Sequence, residues 1–436
     1  MSNLPSLLAT EPPESLLLEQ VFFQIAKQQF PFQTGADMYA FGRSIVLFRD
    51  VPNLLASNEH TPPMNLDGKF REITGMSLIQ FMWTGLLVWG ASKLGKAFSL
   101  FDLSTLTNEI RGRWRGDTQD LPTLEAVQHF LDYVSLDMNE FANKIDDVRK
   151  QDERFITADF QPLLQFPVVR TGTDKYIAPI PKLLIDRITD GLFHDLANSM
   201  SGSGSENPFR EYFGKLFERY VGLQLEMVFG TDQLFPEKEY GRDREGKRTP
   251  DWVVNDRDLP LAIECRSSTF RLETQKYADP EKIARDLGRI GVDTVSRIRP
   301  KIDDIVEGRT HIALISKHAP IPVLCTFESL EPIGMFGAFL RGELRKRSEH
   351  EPPNFCLVPV RYLESMCATE SPEDFCRALM KLEVDATWHD WTGEGPQSRW
   401  QRAMPDPLPK NRILMEAVED IWSNCIGFQS SAIATS

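Results

Sequence analysis

Six cysteines in 436 residues, at positions 265, 325, 356, 367, 376 and 425, show no short paired spacing. That excludes a disulfide framework and a thiolate zinc site, and it marks the thiols as reduced and buried. The seven histidines form no metal-ligand spacing either. Positive charge is in deficit, with 49 Lys and Arg against 63 Asp and Glu and a net charge of −14. A protein that coats nucleic acid by bulk electrostatics is thereby excluded, and a locally basic surface is not. The first residues, MSNLPSLLATEPPESLLLEQ, carry acids and prolines and no basic n-region, so a secretory signal is not expected and a cytoplasmic protein is. Long apolar runs are almost lacking. Ile73 to Ser92 is uncharged, but it holds two threonines, two serines, a glutamine and three glycines, and it has no companion. It reads as a buried helix capped by Thr74 or Ser77, so no membrane is expected. There is no internal repeat and no Gly-x-Ser-x-Gly nucleophile signature.

What is present is a globular composition, 41% hydrophobic and 26% charged, long enough for two or three domains. The Ser/Gly-rich run NSMSGSGSENP is the clearest seam. Residues 1–197 read as a mainly helical domain, with a strand at Ser44 to Phe48. Residues 198–206 read as a linker, 207–366 as an α/β domain, and 367–436 as an appendix rich in Trp and Pro. Asn207 and Pro208 open a helix, with Asn as cap and Pro in the first turn, and Gly230 closes it. Strands are expected at Trp252 to Val254, Leu261 to Cys265, His311 to Ile315 and Phe355 to Val360. A long helix from Asp279 to Val306 separates the second strand from the third. This is an α/β order with buried central strands.

The chemistry lies in TPDWVVNDRDLPLAIECRSS, residues 249–268. Strand alternation puts Leu261, Ile263 and Cys265 on one face and Ala262, Glu264 and Arg266 on the other. Asp251 stands at the head of the preceding strand, and the short NDRDLP turn folds that strand back, bringing Asp251 close to Glu264. Two carboxylates at strand ends, with a cation beside them, suit phosphodiester hydrolysis. Hard oxygen ligands hold Mg²⁺, the metal polarises the phosphate and activates a water, and the cation stabilises the charge that develops.

At these residues the chain resembles the restriction-endonuclease-like superfamily, whose motif is PD…(D/E)xK. Pro250-Asp251 matches its first half and Glu264-Cys265-Arg266 its second, with Arg where Lys is usual. The resemblance spans about Asn207 to Glu364. It implies a mixed central sheet flanked by helices, in the order helix, antiparallel strand pair, helix, strand. It also implies a helical acid near the metal, for which Glu218 is the candidate, because Gly214 and Gly222 flank it on one helical face and leave it a groove. Asp251, Glu264 and Glu218 would then hold Mg²⁺ or Mn²⁺, and Arg266 would stabilise the transition state. Arginine cannot serve as a base; Lys247 and Lys276 are the lysines expected to reach the site from elsewhere.

The expectation is therefore a Mg²⁺-dependent endonuclease acting on DNA before RNA, in a restriction, phage-defence or mobile-element setting by fold-level analogy. Its helical N-terminal domain would recognise substrate or a protein partner. The alternative is a catalytically inactive scaffold of the same fold that binds nucleic acid or protein. Other signals are weaker. Gly90 to Ala97 imitates a phosphate-binding loop but has Ala97 where a hydroxyl belongs, and a helix end at Gly90 is the better reading. Arg285, Arg289, Arg297, Arg299 and Lys301 form either a solvated helix paired with Asp286, Asp293 and Asp303 or a phosphate-holding face. Trp388, Trp391 and Trp400, interleaved with His389 and Arg399, either stack bases or pin a loop.

Overall fold

Apolar side chains at helical spacing dominate the first half of the chain, and short apolar runs between turns dominate the second. The computed structural model describes residues 38–56, 64–92, 97–114, 120–151, 161–200, 207–241, 246–271, 274, 280–327, 333–347, 355–382, 402–405 and 409–426. They form a mixed α/β structure in two units, one within Lys27–Tyr212 and Ile413–Ser436, the other within Phe213–Arg412.

The first unit is mainly helical. Its central helix, α1 (Leu78–Ser92), is buried on most sides, from Phe81 through Val88. Ser77 caps it, accepting from the Gln80 N–H at 2.9 Å and donating to Asp120. Gly85 lies against Ile188 and Phe130, where a Cβ would overlap both side chains. Among the described residues no single helix is long and apolar enough to cross a membrane. The helix runs past Gly90 to Ser92, and residues 93–96 of the loop-like motif lie outside the described residues. Ser44 to Phe48, expected as a strand, is helical instead: Met38–Ile45 passes directly into a wider helical turn at Val46–Asp50. Its apolar residues Ile45, Val46, Leu47 and Phe48 are all buried, and a short apolar run without alternation does not separate strand from buried helix until tertiary packing decides. A small sheet joins β1 (Ser135–Asp137) parallel to β2 (Val168–Gly172), and β2 antiparallel to β3 (Lys175–Ile177). The last described helix returns to this unit, with Leu414 against Gly42.

The second unit is built on a five-stranded mixed sheet. Helix α2 (Pro208–Phe229) enters it. Asn207 caps that helix through Oδ1 to the Phe209 N–H at 3.1 Å, and Gly230, at φ 68°, ends it in the left-handed region. Next come β4 (Leu234–Pro236), a two-stranded ribbon of β5 (Glu239–Tyr240) and β6 (Lys247–Arg248), then β7 (Trp252–Val254) and β8 (Leu261–Arg266). A helix at Pro280–Leu287 passes through a wide turn at Gly288–Val292 into α3 (Asp293–Val306). Strand β9 (Ile321–Thr326), helix α4 (Ile333–Arg347) and strand β10 (Cys356–Pro359) follow, and two short helices come next. The strand order is β10-β9-β8-β7-β4, with β8, β9 and β10 parallel and β4, β7 and β8 antiparallel.

His311 to Ile315 is not a strand. Its backbone is tied instead to the Asn255 side chain, which accepts from the Ile315 N–H at 3.0 Å and donates to the Ala313 carbonyl at 2.9 Å. The strand beside β8 is the later run IPVLCT, which its proline disguises, because a proline in an apolar run argues against a ladder strand. The β7–β8 turn closes as the sequence requires: Asp256 Oδ1 accepts from the N–H groups of Asp258 and Leu259, both at 2.9 Å.

Candidate active site

Antiparallel register decides which side chains meet. Trp252 pairs with Ile263 and Val253 with Ala262, so the next step along the ladder sets Asp251 opposite Glu264. Asp251, Val253, Ala262, Glu264 and Arg266 therefore share one face. Helix α3 covers that face, with Ile298 and Ile302 on Ala262 and Ile305 on Val253. Helix α2 lies on the other face, where the Trp252 indole donates to the Glu218 carbonyl at 2.8 Å. Gly222 does not open a groove beside Glu218. The Trp252 ring fills its place so closely that a Cβ would overlap it, and Gly214 faces Ser267 at ordinary contact distance. Gly222 thus lets strand and helix approach, and the space beside it is occupied by the Trp252 ring.

Asp251 is 9% exposed and Glu264 4%. Asp251 is held on both sides: its carbonyl accepts from the Glu237 N–H at 2.9 Å, and its Oδ2 accepts from the Cys265 N–H at 2.7 Å. Burial, then the charges of Glu264 and Glu218, pushes its carboxyl up to about 8; the Cys265 N–H and Arg266 act in the opposite direction. Burial also raises Glu218, against the pull of Lys215, whose ammonium lies 2.7 Å from it. Burial opposes the charge on Lys215, but Glu218, Glu237 and Asp251 outweigh it and its pKa rises.

Two cations flank Glu264. Arg266 lies 3.8 Å away, with its Nε donating to Thr294 Oγ1 on α3. Lys301, also on α3, lies 2.5 Å from Glu264 Oε1 and donates to the Thr249 carbonyl at 3.3 Å. Lys301 is therefore the lysine that meets Glu264, supplied from a helix well removed in sequence. Sequence spacing offered Lys247 instead, which pairs with Asp304 at 3.4 Å, while Lys276 lies outside the described residues. A signal for Lys301 did exist: Ile298, Ile302 and Ile305 set the buried stripe of α3, and Lys301 stands at its border. Lys215, three residues before Glu218, is outside the motif and joins the site through its pair with Glu218.

The rest of the basic segment divides. Arg289 pairs with Asp286 at 3.3 Å and Arg299 with Asp303 at 3.2 Å, whereas Arg285 and Arg297 are exposed. Arg242, Trp388, His389, Trp391, Arg399 and Trp400 lie outside the described residues.

Among the described residues no three His, Cys, Asp or Glu side chains converge as a metal cluster. The donor set that does form is a pair of buried, mutually repelling carboxylates, Asp251 and Glu264, with Glu218 adding to the repulsion. Such a pair fits Mg²⁺, which binds through one or two carboxylates and keeps waters and substrate oxygens for its other positions. Set against protein-family models, curated proteins and solved structures, the chain matches none.

Proposed function

We propose that the chain is a metal-dependent nuclease acting on DNA, with its second unit built on a restriction-endonuclease-like core. The observation that carries this is the meeting of Asp251 and Glu264 at adjoining strand ends, buried, on one face, with Lys301 and Arg266 beside them. The order helix, antiparallel pair, helix, strand agrees with what the resemblance implies.

Asp251 and Glu264 would hold Mg²⁺ or Mn²⁺, because a divalent cation relieves the repulsion between them. When bound, the metal would polarise the scissile phosphate and lower the pKa of a water. The chain's own groups prepare the rest. The Cys265 N–H fixes the Asp251 carboxylate, and the Glu237 N–H fixes its backbone. Lys301 places an ammonium against Glu264, where the motif lysine would otherwise project, and an ammonium can hold or release a proton at Nζ. Arg266 offers its guanidinium to the charge that develops on phosphate. Glu218 adds negative charge beside them. The helical unit would serve substrate or partner recognition.

The test is incubation of the full chain with DNA and with RNA in Mg²⁺ or Mn²⁺, beside Glu264→Ala and Asp251→Asn. Cleavage by the wild type and not by the variants supports the reading; cleavage that persists in both variants sinks it. A second reading, a non-catalytic scaffold that binds nucleic acid or protein, is favoured by the Lys301–Glu264 pair, which gives a buried carboxylate its partner without any metal. Nucleic acid bound and left uncut would decide for the scaffold.

A further inference from the structure

Thr294, Arg297 and Lys301 follow one another on α3 at intervals of three and four residues, which sets them along one edge of the helix. Thr294 accepts from Arg266, and Lys301 reaches Glu264. Arg297 therefore lies about one turn from each of two residues that touch the candidate site. The edge is fixed in direction, because Ile298 and Ile302 pack on Ala262 beneath it. Arg297 itself is exposed.

Four of the surrounding cations have carboxylate partners: Lys215 has Glu218, Lys301 has Glu264, Arg289 has Asp286 and Arg299 has Asp303, whereas Arg285, on the preceding helix and off the α3 edge, has none among the described residues. Among the described residues Arg297 has none, although Asp293 stands four residues before it at a spacing that commonly pairs. An arginine without a carboxylate is conspicuous beside a site this acidic, in a chain of net charge −14. The Arg266 side chain is 37% exposed, with its Nε on Thr294 and its Nη2 3.8 Å from Glu264, and its Nη1 makes no hydrogen bond among the described residues. A guanidinium presents paired N–H donors that match the non-bridging oxygens of a phosphate.

We propose that Arg297, beside Arg266, forms a phosphate-binding site on the rim of α3, which holds a nucleic-acid phosphate adjoining the one that Asp251, Glu264 and Arg266 serve. The inference deepens the nuclease reading and takes its substrate class from it. Contacts of this kind position a strand without reading its sequence.

The experiment measures binding of the full chain to a labelled DNA duplex in EDTA across a range of salt concentrations, so cleavage plays no part. For Arg297→Ala the slope of log K against log salt should fall by about one unit. Arg297→Lys, which keeps the charge, should restore the slope. Arg285→Ala removes an exposed arginine from the preceding helix and should leave the slope unchanged. Equal loss from Arg285→Ala and Arg297→Ala, no loss from Arg297→Ala, or no binding by the wild type would each overturn the proposal. Binding with the expected slopes but no cleavage in Mg²⁺ upholds the rim site and removes the nuclease reading. Cleavage with a slope indifferent to Arg297 does the reverse.

Discussion

A single carboxyl at Asp251 links stability to function. Its folded form holds a proton up to about pH 8, whereas in the unfolded chain the group ionises near pH 4, the ordinary Asp range. Between those limits the folded state binds more protons, so stability falls as pH rises through the window and levels off above it. Asp251→Asn keeps an oxygen for the Cys265 N–H and discards the titration. It should flatten most of that fall, leaving the smaller part due to Glu218, and it should abolish cleavage. Urea denaturation from pH 5 to 8.5 tests this; parallel curves for wild type and variant would refute it. At Glu264 the matching test is Lys301→Met, which removes the partner 2.5 Å from a buried carboxylate. Losing a hydrogen bond to a charged group costs about 2 kcal/mol. Arg266, farther away and half-exposed, should cost less when changed to Met. The reverse ranking would show that Arg266 is the cation that matters.

Among the elements, the contact between α2 and β7 seats the strand whose register with β8 brings the carboxylates together. Gly222 admits the Trp252 indole, and Trp252 immediately follows Asp251. Gly222→Ala should overpack this joint, at a cost of about 1–3 kcal/mol. It should also weaken cleavage by displacing the strand, although residue 222 touches neither acid. A variant as stable and active as wild type would mean that the joint repacks freely. The same joint marks how much of the site the sequence disclosed. Asp251, Glu264 and Arg266 were legible because alternation and a short turn are local rules. The groove expected beside Glu218 is filled, since periodicity finds two glycines on a face but does not say that an indole occupies the space. Lys301 is legible as a basic residue at the border of the α3 stripe but not as the partner of Glu264, because only the packing of Ile298 and Ile302 on Ala262 brings that helix edge to the strand end. The third strand was misplaced because Pro322 hid the true one and Asn255 engaged the false one.

For the whole molecule, charge sets the limit on how nucleic acid can be bound. With 63 acids against 49 bases, most of the surface repels a phosphate backbone, and attraction must come from a few cations in one place. Arg266, Arg297 and Lys301 are those cations in the proposed site, and Lys301 is already shared with Glu264. Each phosphate neutralised on duplex DNA contributes about −0.9 to the slope of log K against log salt. The intact chain should therefore show a slope of about −2 to −3 in EDTA, well short of the steep values of proteins that lay a broad basic face on DNA. Mg²⁺ should strengthen binding at a fixed ionic strength near pH 8, because a cation between Asp251 and Glu264 removes the charges that most repel the substrate. Titration of a labelled duplex with cleavage-resistant phosphorothioate linkages, with and without Mg²⁺, compares the wild type with Asp251→Asn and Glu264→Gln, each of which removes one carboxylate of the pair, and measures both effects. A slope of about −6 or steeper would place the main interface on another surface of the molecule. Equal strengthening by Mg²⁺ in the wild type and both variants would trace the effect to screening and not to the carboxylate pair.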